Sequence, residues 1–526
     1  MMGRVRTTTT ANPDALVSCT PTPQWWGSDV TPKHCLSQKT AFSGNSVQPA
    51  SQAASTRPAE TSKLGLKQET DASNHGGSAK AANGANRDSA IAVTVSSSFD
   101  SGNIEFVNGD DCTSHLGVQL KIVEDPHSDL ESKRFSGWFY FHAAGAFSGT
   151  RSTFTILNGG APETLNRFYT HLRQTKFLKE NPSACSSALP QPWPLSDVMY
   201  SYDGISWHRC RNTMSCEASG RLSWSLIPEA EAVYFACFTP YSLQRHEALI
   251  SWCDEAPQAH VFKMGESIEG RPLSAVRLGN GALKCWVLHR QHPGETMAEW
   301  FAEGLLEALI APLPDKEDQV EQLLKTFTFF VVPNMCPDGS VRGHFRTNAA
   351  GSNLNREWAD TLTPAGVYEA PTRERSPEVY HTLKQIVKEG CDAFVDVHGD
   401  ELIPYAFLSG MEGSPQWGSR LKGLQGIFTS AYVRANADMQ AEIAYDPVEY
   451  DQDSPLLTHG SNMAISANQI ANMFDCLSVT VEQPFKDIAA TADGANGWCH
   501  LRSKTLGADL LVSACVRTGV SARRAT

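Results

Sequence analysis

The sequence predicts an α/β protein, a mixed sheet flanked by helices, preceded by an antiparallel β-sandwich domain and a disordered N-terminal tail. Three observations carry this expectation. From about residue 246, apolar runs of strand length alternate with segments of helical period. From about 91 to 245, strand signals follow one another with almost no helical periodicity. The first 90 or so residues hold little that could be buried. At 526 residues the chain is too long for one ordinary core, and roughly one domain per 100–200 residues gives two to four units. The expected boundaries are a tail at 1–90, the sandwich at 91–245, the α/β domain at 246–517 and a frayed C-terminal tail at 518–526.

The tail, typified by "SGNSVQPASQAASTRPAETSKLG", is Ser, Ala, Gly and Asn, with Trp25 and Trp26 as isolated aromatics that receive no role. The opening "MMGRVRTTTTANPDALVSC" has no apolar core of the kind a secretory signal needs, while a transit peptide stays open with weak support, since Asp14 arrives early. No apolar run approaches the ~20 residues that span a bilayer, so no membrane partner is expected. The 14 cysteines are scattered and none forms CxxC, which reads as reduced, buried thiols and a cytoplasmic placement. A net charge of -13 argues against nucleic acid as a partner. Nothing in the sequence sets an oligomeric state.

In "LGVQLKIVE", Leu116, Val118, Leu120 and Ile122 alternate with other residues, the period of a half-buried strand. "GWFYFHA", "STFTILN", "RLSWSLI" and "AVYFACF" follow, and Asp203-Gly204 in "VMYSYDGISWHRC" marks a hairpin between two strands. Beyond 246, "LKCWVLH" precedes a helix over about 295–311, and a helix over about 315–325 precedes "FTFFVVPN". "RSPEVYHTLKQIVKEG" reads as a helix with Ser376 as N-cap, Pro377 in the first turn and Gly390 just past the end. "CDAFVDVH" is a strand, "ANQIANMF" a helix and "CLSVTVE" a strand, so helices are expected on both faces of the sheet.

Four of these strands run into residues fit for chemistry: His292 and Glu295 after "WVLH"; Arg346, Asn355 and Arg356 in the loop after "FFVVPN"; His398 ending "FVDVH"; Glu482 ending "SVTVE". Ligands of open α/β sheets bind beyond the carboxyl ends of strands, so residues far apart in sequence are placed in one crevice. A catalytic zinc takes three protein ligands and keeps a position for water, and two His with one Glu form such a set. His292 and Glu295 converge only if the chain turns between them, which Pro293-Gly294 is expected to allow. Taken alone, the pair reads more readily as structural, His292 as a polar strand end and Glu295 as a complement to the next helix dipole. His398 alone reads as a satisfied interior histidine. Glu482 ends an apolar strand, where a carboxylate is costly unless paired, metal-linked or catalytic. His289 is read as structural, and His344 and His459 as site neighbours without a role.

"HPGET", "PNMCPDGSVRGHFRTNAAGSNLNREW", "DVHGDE" and "TVEQPFKD" resemble, in this order, the motifs of zinc metallocarboxypeptidases, most closely the cytosolic carboxypeptidase branch with its bacterial-type members. "SSSFDSGNIEFVN" and "YFACFTPYSLQRH" resemble the start and end of that branch's N-terminal β-sandwich, and the resemblance covers about 94–517. It implies a carboxypeptidase-like mixed sheet, one Zn2+ held by His292, Glu295 and His398, and Glu482 as general base and later proton donor. It further implies that Arg346 polarises the scissile carbonyl and that Asn355 and Arg356 hold the substrate's terminal carboxylate. Tyr445 is the candidate substrate-closing tyrosine. Two departures stand out: Gln483 where relatives tend to carry methionine, and Ile443-Ala444 where they tend to carry His-Gly.

The implied partners are peptide or protein C-termini, with glutamate trimming from acidic tails as one substrate class. Zinc gives a nucleophile at neutral pH by lowering the pKa of water toward ~7, and the planar guanidinium of Arg356 suits a free carboxylate. Two rivals remain open at this point: a binding protein that keeps the zinc fold without turnover, and a metal-dependent deacylase of N-acyl amino acids. The sandwich is expected to be a packing and substrate-gating partner.

Overall fold

The computed structural model describes residues 93–515 apart from 108–116, 128–134, 146–147, 160–196, 212, 217–219, 360–369, 401–402, 443–461, 486, 489–490, 492 and 494–495. The expectations for the two tails, for Tyr445 and for His459 therefore lie outside the described residues. All described residues fall within one compact unit, 91–526.

Two five-stranded sheets build the first part of that unit. One contains β1 (Val93–Ser96), β4 (Tyr140–Gly145), β10 (Ala232–Ala236), β6 (Met199–Ser201) and β7 (His208–Arg209) in that order. The other contains β2 (Glu105–Phe106), β3 (Val118–Lys121), β5 (Ser152–Ile156), β9 (Arg221–Leu226) and β8 (Met214–Cys216). The alternation read in the sequence is the reason these strands bury one face. Phe141, Val233 and Phe235 from the first sheet meet Val118, Leu120, Phe154, Ile156 and Trp224 from the second in a single core. The Trp224 ring stacks on Phe154 within its own sheet (centroids 5.6 Å, 13°) and meets Phe235 of the opposite sheet edge-on (5.3 Å, 60°). The pairing is antiparallel except between β3 and β5, which run parallel. Asp203-Gly204 does turn the β6–β7 hairpin: Gly204 sits at φ 72° and Asp203 Oδ1 accepts the Ile205 and Ser206 N–H groups.

The second part is a seven-stranded mixed sheet in the order β11 (Ala259–Glu266), β12 (Pro272–Leu278), β14 (Phe327–Val332), β13 (Leu283–His289), β15 (Ala393–Asp400), β17 (Leu477–Pro484), β16 (Phe407–Ser409). The central pairs β14–β13–β15–β17 are parallel and the outer pairs antiparallel. Successive residues of these strands pack into opposite cores, so helices cover both faces. Val287, Val331, Val395 and Val479 join the core that also holds α2 (Thr296–Ile310), α6 (Ser419–Ala435) and α8 (His500–Cys515). Their alternates Trp286, Leu288, Phe330 and Phe394 pack with Val379 and Ile386 of α5 (Pro377–Glu389) and Ile470 of α7 (Ser466–Phe474). Strands buried on both faces read as unbroken apolar runs, as "FTFFVV" does.

Ser376, Pro377 and Gly390 take the N-cap, first-turn and C-cap places read from the sequence. Ser376 precedes α5, but its hydroxyl donates to Glu357 Oε2 and makes no cap bond. Glu295 precedes α2 and makes no side-chain cap bond either, so its carboxylate is not spent on the helix end. The two parts share a continuous core: Phe238 meets Phe485 edge-on (6.2 Å, 73°), and Phe135 and Phe345 are buried together with both.

Candidate active site

The turn after β13 is built around a buried arginine. Arg290 lies in the left-handed region at φ 57°, and its guanidinium donates to Glu299 Oε2 (2.7 Å), Tyr241 O (3.0 Å) and Pro293 O (2.9 Å). The sequence reading gave the turn to Pro293-Gly294, but the positive φ belongs to Arg290. Gly294 is needed for close approach: a Cβ there would stand 2.9 Å from both Phe345 Cδ2 and Phe345 O. Its N–H donates to that same Phe345 O (2.9 Å).

This turn carries His292 and Glu295 to the end of β15, where His398 projects. His292 Nδ1 lies 2.7 Å from Glu295 Oε1, His398 Nδ1 lies 2.9 Å from Glu295 Oε2, and the two Nδ1 atoms are 3.1 Å apart. All three residues are buried, and one ligand atom from each falls within 4.8 Å of the others. The opposite ring nitrogens are held from outside. His292 Nε2 faces Asn353 Oδ1 (3.0 Å) and His398 Nε2 faces Asp396 Oδ2 (2.9 Å). In the Nε2-protonated tautomer that zinc binding requires, each ring donates outward and turns its Nδ1 lone pair to the carboxylate. Two lone pairs and an anion converging in a buried space repel unless a cation sits among them, and this donor set fits zinc. Burial pushes His292 down to about 4, helped by the Arg346 charge. Burial opposes ionisation of Glu295 too, yet the two imidazoles outweigh it and hold its carboxyl well below the usual range. Burial also opposes a charged His398, but Asp396 and Glu295 outweigh it and raise that imidazole.

Glu482 lies on the strand beside His398. β15 and β17 run parallel with His398 opposite Glu482 in register, so both side chains leave the same face. Glu482 is buried, and its Oε2 has no hydrogen-bond partner among the described residues. Burial, reinforced by Glu295, Asp400 and Asp396 against His398, raises its carboxyl well above the usual value. A buried carboxylate oxygen with no partner is an acceptor awaiting a water or a substrate proton.

Arg346 is half-buried, with its guanidinium over the Phe135 ring (5.6 Å to the centroid). Asn355 and Arg356 occupy a 3-10 turn, Leu354–Arg356. Asn355 Oδ1 accepts the Ser466 N–H (2.9 Å), and its Nδ2 lies 3.2 Å from His398 Nε2. Arg356 Nη1 donates to Asn355 O (2.8 Å). The structure therefore brings His292, Glu295, His398, Glu482 and Asn355 together, with Arg346 close enough to act on His292 electrostatically. His289 is fully buried, with Nδ1 against Val332 O (2.9 Å), and burial lowers it to about 4, a neutral core residue.

Sequence reasoning missed the residues that support the site. Asp396 Oδ2 accepts from Gln291 Nε2 (2.5 Å), Ser466 Oγ (2.5 Å) and His398 Nε2 (2.9 Å). Its signal was present: Asp396 stands two residues before His398 in one strand, hence on the same face. Asn353 and Ser466 carried no comparable signal.

Residues 95–238 match the model of the cytosolic carboxypeptidase N-terminal domain, and residues 249–469 match that of zinc carboxypeptidase. A solved metallo-carboxypeptidase from Burkholderia cenocepacia is 35% identical, covering 81% of this chain and 99% of that one with a TM-score of 0.66. A protein of Zymomonas mobilis, itself uncharacterized, is 35% identical over 422 residues, 80% of this chain and 95% of that protein. Mouse cytosolic carboxypeptidase 1 is 24% identical over 355 residues, 60% of this chain; the match spans only 26% of the mouse protein's length.

Proposed function

This chain belongs to the zinc carboxypeptidase family, in the branch with a cytosolic carboxypeptidase N-terminal domain, and from that premise we propose how its residues hydrolyse the C-terminal peptide bond of a peptide or protein. The family makes it a hydrolase of peptide bonds with zinc as cofactor. The observation that carries the residue assignment is the convergence of His292 Nδ1, His398 Nδ1 and the Glu295 carboxylate beside the partnerless Glu482 Oε2.

His292, Glu295 and His398 would hold the zinc, which when bound supplies Lewis acidity and water of pKa near ~7. Glu482 takes a proton from the attacking water and passes it to the leaving amine. Its raised proton affinity suits the second half of that task, since an acid that holds its proton is the better donor. Arg346, permanently charged, faces the oxygen on which negative charge develops. Asn355 and Arg356 hold the substrate's free carboxylate, which selects chain ends over internal bonds. The Asn355 amide protons are left for such an acceptor, because the neighbouring His398 Nε2 gives its own proton to Asp396. Tyr445 remains the proposed closing tyrosine. The relationship to cytosolic carboxypeptidases supports a cytoplasmic placement, which fractionation finding the protein elsewhere would remove.

The test is a peptide library varied at its C-terminal residue, incubated with and without a chelator, alongside Glu482→Gln. Chelation should abolish release of C-terminal residues. The variant should keep its zinc yet lose hydrolysis by several orders of magnitude, on the scale of about 10⁴ or more. Unchanged turnover would remove Glu482 from the mechanism. The same profile reads out the residue released: the cytosolic carboxypeptidase relationship nominates glutamate, and peptides ending in glutamate that are cut no faster than others would withdraw it.

A further inference from the structure

The loop that carries Arg346 has no secondary structure of its own. It runs from α4 (Pro337–Arg342) to the 3-10 turn at Leu354–Arg356. At Arg346 its backbone is held from the other part of the unit. Asp125 follows β3 of the sandwich and is 3% exposed. Its Oδ1 accepts the Phe345 N–H (2.7 Å), and its Oδ2 accepts the Arg346 N–H (2.7 Å), the Thr347 N–H (2.8 Å) and the Thr347 hydroxyl (3.1 Å). Three successive backbone N–H groups, centred on Arg346, thus converge on one carboxylate.

Asp125 is itself fixed. Its N–H donates to Phe135 O (2.9 Å), and the Phe135 ring lies beneath the Arg346 guanidinium. On the far side of the loop, Phe345 O accepts the Gly294 N–H. The backbone before Arg346 is therefore clamped between the sandwich and the turn that bears His292 and Glu295. Two more sandwich bonds hold the approach to the loop: Asn103 Nδ2 donates to Gly343 O (2.9 Å), and the Ser101 N–H donates to Val341 O (2.8 Å).

We propose that Asp125 is a positioning residue for the reaction: through the backbone of Phe345, Arg346 and Thr347 it sets where the Arg346 guanidinium stands. This rests on the role given to Arg346 above. It also gives the sandwich a part in catalysis beyond packing. An oxyanion partner must be in place before charge develops, and a displacement of about 1 Å costs on the order of 10²-fold in rate. Four charge-assisted bonds to one short segment are a means of preventing that displacement.

The experiment uses the full chain loaded with zinc. Asp125→Ala, Asp125→Asn, Thr347→Val, Arg346→Ala and the Asp125→Ala/Arg346→Ala double variant are compared for kcat, KM and zinc per chain on one cleavable peptide. Arg346→Ala should lower kcat about 10²-fold or more. Asp125→Ala should lower kcat by about ten- to a hundredfold, with KM within about twofold and zinc retained. Thr347→Val, which removes only one of the bonds, should lower kcat by a smaller factor in the same sense. In the Arg346→Ala background, Asp125→Ala should change kcat by less than about twofold, because the group it positions is gone. The proposal is overturned if Asp125→Ala keeps the parent kcat, or if its loss recurs in full in the Arg346→Ala background. If Asp125→Ala does not fold, Asp125→Asn and Thr347→Val are judged by the same criteria. If Arg346→Ala itself retains kcat, the role of Arg346 falls first and this inference falls with it, an outcome distinct from a failure at Asp125 alone.

Discussion

Asp396 offers a quantitative test of how the proposed metal centre is organised. It is fully buried, and one of its oxygens, Oδ2, accepts from Gln291, Ser466 and His398 while Oδ1 has no partner among the described residues. In Asp396→Asn the amide oxygen can replace Oδ2 and keep all three donors, with the amide nitrogen in the place of Oδ1. Only the charge is lost, so His398 becomes a less basic ligand. Zinc affinity should fall about tenfold, or about 1.4 kcal/mol. Asp396→Ala removes the acceptor altogether. Asn355 Nδ2, 3.2 Å from His398 Nε2, is then free to donate to it, which drives the imidazole proton onto Nδ1, the nitrogen that faces the metal. Affinity should fall about a hundredfold, or about 2.8 kcal/mol. Competition against a chromophoric chelator at fixed pH measures both, with thermal unfolding of the apo-proteins run in parallel. If both variants bind zinc within twofold of the parent, the idea that Asp396 sets the His398 tautomer is wrong.

Gly294→Ala should place a Cβ against Phe345 O and ring, destabilise the protein by about 1–3 kcal/mol and lower kcat, read by urea unfolding and peptide hydrolysis; a neutral result would mean the two loops are not in contact. Arg356→Lys should raise KM about tenfold with kcat little changed, since an ammonium cannot make the paired bonds of a guanidinium, and steady-state kinetics on a C-terminal peptide decide it. Glu378 is buried, which pushes its carboxyl up from 4.5 to about 7, with Asp338 and Glu357 adding to the rise. Between those values the folded state keeps a proton that the unfolded state has lost, so stability falls as pH rises from about 4.5 to about 7 and stays lower above it. The cost is about 3 kcal/mol. Glu378→Gln should therefore flatten the loss of unfolding free energy between pH 5 and pH 8, and an unchanged slope would show that Glu378 ionises normally.

How much of this was legible in the sequence depends on the range of the forces involved. The strands of the central sheet were readable because each is buried on both faces, so its apolar run is local information. The proposed metal ligands were readable because they lie at or just past the ends of such runs, and parallel strands bring their carboxyl ends to one edge: His398 and Glu482 become neighbours through register alone. Asp396 was readable in principle from its two-residue offset to His398. Arg290 was not, because its left-handed backbone depends on Glu299 and Tyr241 being in place to receive its guanidinium. Asp125 was least legible. It follows an ordinary strand in "IVEDP", and its partners lie 220 to 222 residues away. A carboxylate there would be costly if left alone, since burial raises its proton affinity; His344, the three N–H groups and the Thr347 hydroxyl, all from a loop of the other part of the unit, offset that cost. The same burial makes the interaction demanding in both directions: the loop without Asp125 leaves three buried donors unmet, and Asp125 without the loop leaves a buried acid. Neither half is satisfied alone, so the bonds that hold Arg346 in place also help bind the sandwich to the sheet.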